Sequence, residues 1–548
     1  MKRSLLALAW LAVFLPLRFA LAQPAPQSSG KYSIRGVVVS AATGQPLDRA
    51  DVTLQTSNRG TQVAETTTGQ DGRFVFEHLA AGKYSLLASR RGYLTAAYEE
   101  HEGFSTAIVT GEGLTADGLV FRLPPRAVIK GTVTDEAGDQ VQQARVSLYR
   151  QNLGNGLGNI VRAGMTVTDD TGAYEFARLE AGNYFVAVSA NPWYATRPQE
   201  GRDAEGNLTP NDQRSPLDVA YPVTFYADVT DSDSATPIPV KAGDQVQVNF
   251  TMHAVPAIHL SVQIPAPSGR GFAMPQLDQD IFGTTDRVQA SVMRGGQGGD
   301  GEMTMEFEGV APGHYSLESR GGGDASHSAS IDAASDTRID LSQAGAMADV
   351  SGKVVMAGGE KLPDRLNISL RSSDGRRNLG GEQVGADGSF SLHGIPPGSY
   401  EVWANAQGVS VAVIQMTSTG AATEGHMLKV GSQPVAISAT LAEGSTTVTG
   451  FAKRDGKPAE GAMVLLAPKN PGADREMFRR DQSDSDGSFS LRQAVPGEYT
   501  VVAIEDGWML DWARPEVIAH YLAKGLKVTV PPHAKDFAIK DAIEVQPK

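Results

Sequence analysis

The chain has 548 residues, 60 of them glycine and none cysteine, and carries a formal net charge of −14. The acidic balance excludes the basic surface that phosphate neutralisation needs, so nucleic acid is not expected as a partner, and without cysteine no disulfide framework holds the fold. The length exceeds what one core can serve and predicts several domains of roughly 100 to 150 residues each.

At the start of the chain, Lys2 and Arg3 precede an apolar run from Leu5 to Leu17, and Ala20-Leu21-Ala22 supplies a small-x-small site. This reads as a secretory signal peptide over 1–22, cleaved after Ala22, which predicts a periplasmic or secreted product. The run is short for a membrane span and is broken by Pro16, and no later segment offers one, so no integral membrane domain is expected. No cysteine follows the cleavage site to take a lipid anchor.

From residue 31 onward one pattern returns. A first strand (Gly36-Val37-Val38-Val39, Gly131-Thr132-Val133, Gly352-Lys353-Val354-Val355, Gly450-Phe451-Ala452) is followed by a second (Ala50 to Leu54, Ala144 to Leu148, Leu366 to Leu370, Ala462 to Leu466). Next comes Asp-Gly-x-Phe from Asp71, Asp387 and Asp486, with a variant from Thr171, and then Gly-x-Tyr at Tyr84, Tyr184, Tyr400 and Tyr499. A worn copy survives around Gly313 and Tyr315. Asp-Gly turns the chain, Phe-x-Phe has the period of two that buries one strand face, and the Tyr opens the partner strand. Each copy closes with a strand, a turn and another strand, giving about seven short strands in roughly 90 to 100 residues.

These elements predict an all-β chain of about five tandem Greek-key β-sandwich modules. The expected modules are 31–123, 126–253 with a long loop insertion over 191–236, 254–345 in degenerate form, 347–443 and 445–548. The one helix expected runs from Pro515 to Lys524, with Pro515 in its first turn and Gly525 at its end.

The Gly-x-Val, Ala-x-Val-x-Leu, Asp-Gly-x-Phe and Gly-x-Tyr series resembles the carboxypeptidase regulatory-like domain family, strongly at 31–123, 126–190, 347–443 and 445–505 and weakly at 254–345. The resemblance implies a transthyretin-like, carbohydrate-binding-like β-sandwich, related in shape to collagen-adhesin B-type modules. It implies a fold far more than a function, because every motif residue sits in a turn or a core.

Chemistry is hard to find in this sequence. A carboxypeptidase needs histidine and glutamate at zinc-ligand spacing, and no H-x-x-E or H-E-x-x-H occurs. A nucleophile elbow is missing as well, and Gly154-Asn155-Gly156-Leu157-Gly158, which lacks a following Lys-Ser/Thr, reads as a hairpin loop rather than a phosphate cradle. The expectation is a non-enzymatic protein with no cofactor and no metal. Two acidic runs, Asp481/Asp484/Asp486 and Asp228/Asp231/Asp233, have oxygen ligands at spacings that can suit calcium but read first as solvated turns. The likeness to collagen-adhesin modules raises an intramolecular isopeptide bond, for which Lys353 is the first-strand lysine to test.

Loop aromatics are the remaining ligand-binding candidates: Trp193 with Tyr194, and Trp508 with Trp512. A flat ring stacks on the apolar face of a sugar, and the same rings serve equally well to plug a sandwich end or join two modules. Trp403 alternates with Val402 and is assigned to a core. The functional expectation is an exported binding protein whose partner is carbohydrate or cell-envelope polymer. The alternative is a spacer or assembly module whose partner is another envelope protein.

Overall fold

A computed structural model describes residues 30–58, 60–196, 201–202, 208–209, 215–264, 275–288, 290–297, 303–319, 327–341, 345–373 and 378–548. The signal-peptide reading over 1–22 and part of the 191–236 insertion lie outside them. The described chain is a series of β-sandwiches, five of them with a large apolar core, here numbered modules 1 to 5 in chain order, and smaller apolar clusters lie outside those cores.

Module 1 sets the plan. Strand Tyr32–Ser40 lies between Arg73–Leu79, antiparallel, and Ala116–Leu123, parallel. The facing sheet pairs Asp51–Thr56 with Gln62–Thr67 on one side and Gly82–Ser89 on the other. Val52 and Leu54 of one strand and Tyr84, Leu86 and Ala88 of its neighbour point inward, the period of two expected where one face is buried. In module 5 the closing strand Ile543–Gln546 runs parallel to both Thr446–Arg454 and Gly497–Ile504, so its two layers join into one nine-stranded sheet.

The recurring motif residues meet one another. The first-strand glycine stands directly across from the motif aromatic in four modules: Gly36 opposite Phe74, Gly131 opposite Tyr174, Gly352 opposite Phe390 and Gly450 opposite Phe489. A Cβ on Gly352 would come within 2.8 Å of the Phe390 ring and 2.3 Å of the Ile437 carbonyl, so the aromatic lies flat over a position only glycine can fill. The turn glycine is constrained twice over. Gly388 has φ +85°, and a Cβ there would lie 2.3 Å from the Val354 carbonyl.

The motif tyrosine folds back on its own turn in all five modules. Its hydroxyl donates to the carbonyl four residues earlier: Tyr84 to Ala80, Tyr184 to Glu180, Tyr315 to Ala311, Tyr400 to Pro396 and Tyr499 to Val495. This bond satisfies the polar tip of a buried ring, and its presence in module 3 shows why Gly313 and Tyr315 persist where the rest of the motif is worn.

Three details differ from the sequence reading. Trp403 is not in the core: Val402 points inward, and the alternation turns Trp403 to the outer face, where the Arg371 guanidinium lies 3.8 Å from its ring centre. Lys353 is exposed, so the buried lysine that an isopeptide bond requires is not there. The insertion is more than loop, with Val219–Ala220, Thr224–Phe225 and a 3-10 turn at Ser232–Ser234, and it buries Tyr221 and Phe225. The helix forms over Pro515–Leu522, its proline at the first turn.

Candidate functional site

The four candidate aromatics fall into two very different settings. Trp193 follows the Gly182–Ser189 strand of module 2, and its side chain is 79% exposed. The Tyr194 ring stands perpendicular to it, 5.8 Å between centres, and the Tyr194 hydroxyl donates to Glu136 at 2.7 Å. Against a desolvation effect that raises it, the Tyr194 bond, backbone hydrogen bonds and the nearby His253 together hold the Glu136 carboxyl below its ordinary pKa. The outcome is a fixed aromatic corner with one indole face open to solvent.

Trp508 and Trp512 are 4% and 7% exposed, and neither offers a free face. They lie where module 5 docks onto modules 1 and 2. Trp508 is stacked against His101 and touches Phe104, both of module 1. Trp512 seats against the module 2 loop, where Gly156 has φ +70° and a Cβ would lie 2.5 Å from the indole. The glycine-rich stretch read as a hairpin loop is thus a socket for Trp512. Ala513 donates its backbone N–H to the Gly156 carbonyl at 2.8 Å, and Arg514 Nη2 donates to the Leu157 carbonyl at 2.8 Å. The Arg480 guanidinium sits 4.7 Å, 5.4 Å and 5.2 Å from the ring centres of Phe104, Trp508 and Trp512, and burial pushes its pKa down to about 10.

Around this aromatic cluster modules 1 and 5 are hydrogen-bonded together. Lys83 Nζ donates to Asp484 Oδ2 at 2.6 Å and to Ser488 Oγ at 2.7 Å. The other Asp484 oxygen accepts the Ala107 N–H at 3.0 Å. Ser485 exchanges bonds with the same strand, donating its N–H to the Ala107 carbonyl and accepting from Val109 at its hydroxyl. Gln482, fully buried, donates to the Glu99 carbonyl at 2.6 Å and to Thr106 Oγ1 at 2.8 Å. Charge-assisted bonds to a shielded carboxylate are the stronger kind. Modules 1 and 5 therefore form a clasp between residues about 400 positions apart in sequence.

Beside the clasp lies a cleft of about 910 Å3 between modules 1 and 5. Tyr84 and Phe104 line one wall, and Phe451, Asp481, Arg480 and Arg492 the other. Burial pushes the Asp481 carboxyl up to about 6, although it accepts the Ser490 N–H. The acidic runs considered for calcium are already engaged: Asp484 holds Lys83, Asp231 caps the 3-10 turn and Asp228 accepts from Thr251. Among the described residues, the group whose ligating atoms do converge is His259, Glu306 and Glu308 of module 3. Sequence reading missed it because the histidine and the acids lie on different strands, with no motif spacing between them.

The fold and these contacts define a tandem β-sandwich protein with a clasped end. The carboxypeptidase regulatory-like domain family matches residues 33–113 and 128–209, within modules 1 and 2. The serine-aspartate repeat-containing protein F of Staphylococcus epidermidis is 28% identical over 148 residues, 25% of this chain and 9% of that protein. The chain thus corresponds to under a tenth of that relative's length. Among solved structures, the Bacillus anthracis TIE protein is similar at 11% identity and TM-score 0.17, covering 72% of this chain and 69% of that one. A minor pilin of Streptococcus agalactiae is similar at 15% identity and TM-score 0.21, covering 44% of this chain and all of that one. At such scores the superpositions carry no functional argument. Among the described residues no helix is long and apolar enough to cross a membrane.

Proposed function

We propose that the protein is a non-catalytic binding protein, exported to the cell envelope, that engages a carbohydrate or envelope polymer at the Trp193–Tyr194 corner. The observation that carries this reading is the exposure of Trp193 beside a tyrosine pinned by Glu136. A large apolar ring left open on a surface is otherwise unfavourable, and a rigid one loses little entropy when a sugar face stacks on it. Trp508 and Trp512 do not take part in this site, because docking of module 5 already covers both.

Tryptophan fluorescence titrated with soluble envelope and plant polysaccharides tests the reading directly. A saturable change that disappears in Trp193→Ala supports it. No change with any polymer sinks it.

A second reading, an assembly module for another envelope protein, is favoured by the clasp. Locking module 5 onto modules 1 and 2 fixes the surfaces of several sandwiches relative to one another, which suits a scaffold. A specific protein partner captured by the full chain and lost when the clasp is broken, together with silence in the polysaccharide titration, would select this reading.

A further inference from the structure

We propose that His259, Glu306 and Glu308 form a binding site for a divalent metal ion of the zinc class, and that Asp218 orients the histidine for it. The ion would fasten the module 2 insertion to the sheet of module 3.

The three ligating groups come from two adjacent strands of one sheet, Ile258–Ile264 and Met303–Val310. Glu306 and Glu308 are two apart and so project from the same face. His259 falls within an irregularity of pairing between Ile258 and Leu260, the kind of bulge that re-aims a side chain. One ligating atom from each of the three lies within 4.8 Å of the others, and His259 and Glu308 are buried. One imidazole and two carboxylates make a nitrogen and oxygen donor set that suits zinc and its neighbours, with room for a water as fourth ligand.

The second observation comes from a different part of the chain. Asp218, in the module 2 insertion, places Oδ2 2.7 Å from His259 Nε2, while Nδ1 faces Glu306 at 3.4 Å. A histidine that ligates a metal characteristically gives its other ring N–H to a carboxylate, which fixes its tautomer and orientation. Asp218 is itself held, since its backbone carbonyl accepts the Ala257 N–H and the adjacent Val219–Ala220 pairs with Val255–Pro256. With Nε2 engaged by Asp218, Nδ1 is the ring nitrogen left facing Glu306.

Module 4 contains an internal control. Asp349 falls in the corresponding irregularity, between Ala348 and Val350, and meets His393 at 3.2 Å. That pair is exposed and has no second carboxylate converging on it among the described residues. It has the histidine and acid of module 3 with their strands exchanged, and without the burial or the third ligand.

The test uses the full chain freed of metal with a chelator and titrated with Zn2+ by calorimetry, and with Co2+ by its visible absorption. The expected result is saturable binding of one ion per chain, a cobalt spectrum of low coordination number, and a rise in unfolding temperature with zinc. His259→Ala and Glu308→Gln should abolish binding, Asp218→Asn should weaken it by about 10-fold or more, and His393→Ala should leave it unchanged. Absence of saturable binding to the wild type, or binding that survives both His259→Ala and Glu308→Gln, overturns the proposal. Should either buried variant fail to fold by circular dichroism, Glu306→Gln decides, because Glu306 is partly exposed and its loss removes a ligand with little effect on packing.

Discussion

The His101 imidazole lies parallel to the Trp508 indole, with ring centres 5.4 Å apart and 10° between planes, and so joins the first module to the last. Trp508→Ala removes the ring that His101, Phe104 and Arg480 all touch, and should destabilise module 5 by about 3–5 kcal/mol, the usual cost of deleting a buried aromatic. The same variant should separate modules 1 and 5, seen as a larger radius of gyration by small-angle scattering. Lys83→Ala should give a smaller change in the same direction, since it leaves Asp484 shielded from water and without its cation. An unchanged radius in both variants would show that the clasp does not depend on these contacts.

Module 5 should lose stability as pH rises. Burial raises the Asp481 carboxyl from its ordinary value to about 6, so the folded state binds a proton more tightly than the unfolded chain does. The contribution is therefore fully present below pH about 4 and is lost as pH rises through 6, an effect on the order of 2–3 kcal/mol. Asp484, also raised by burial, adds in the same direction. Asp481→Asn keeps an oxygen for the Ser490 N–H and carries no titrating charge. It should flatten the dependence and stabilise the protein at pH 7 and above, measured by denaturant unfolding across pH 4–8.

Gly388→Ala should destabilise module 4 by a few kcal/mol, because it combines a positive φ with a Cβ 2.3 Å from a backbone carbonyl. Trp403 sits in that module under Arg371, so its fluorescence should report an earlier transition in denaturant. Gly408→Ala has positive φ but nothing near its Cβ, and should cost less, which separates the two causes.

Trp193→Ala should change stability by less than about 0.5 kcal/mol, as surface substitutions commonly do. A loss of several kcal/mol in thermal unfolding would mean that this ring is a packing element rather than a binding surface.

The sandwich was legible in the sequence because its constraints are local and repeated. Gly352 needs Phe390 over it, and Tyr400 needs the Pro396 carbonyl, so the glycine and aromatic return in four copies and the tyrosine in all five. The clasp was not legible. Gln482, Asp484 and Ser485 look like any polar residues near a hairpin turn, and their partners Thr106, Lys83 and Ala107 lie in another module. Trp508 and Trp512 left binding and packing between modules both open, since nothing local reveals that Phe104 and Gly156 cover them. The metal-ligand group fails to register for the same reason: pairing of two strands brings His259 to Glu306 and Glu308, and the module 2 insertion brings Asp218 to His259.

The clasp changes what a single break in the backbone can do. In a linear string of domains, one protease cut between modules 3 and 4 releases two fragments that drift apart. Here module 5 grips module 1 through Lys83 and Gln482 and module 2 through Gly156, so the cut pieces remain one particle. Integrity then rests on two independent connections, one covalent and one not, and both have to fail before the protein comes apart.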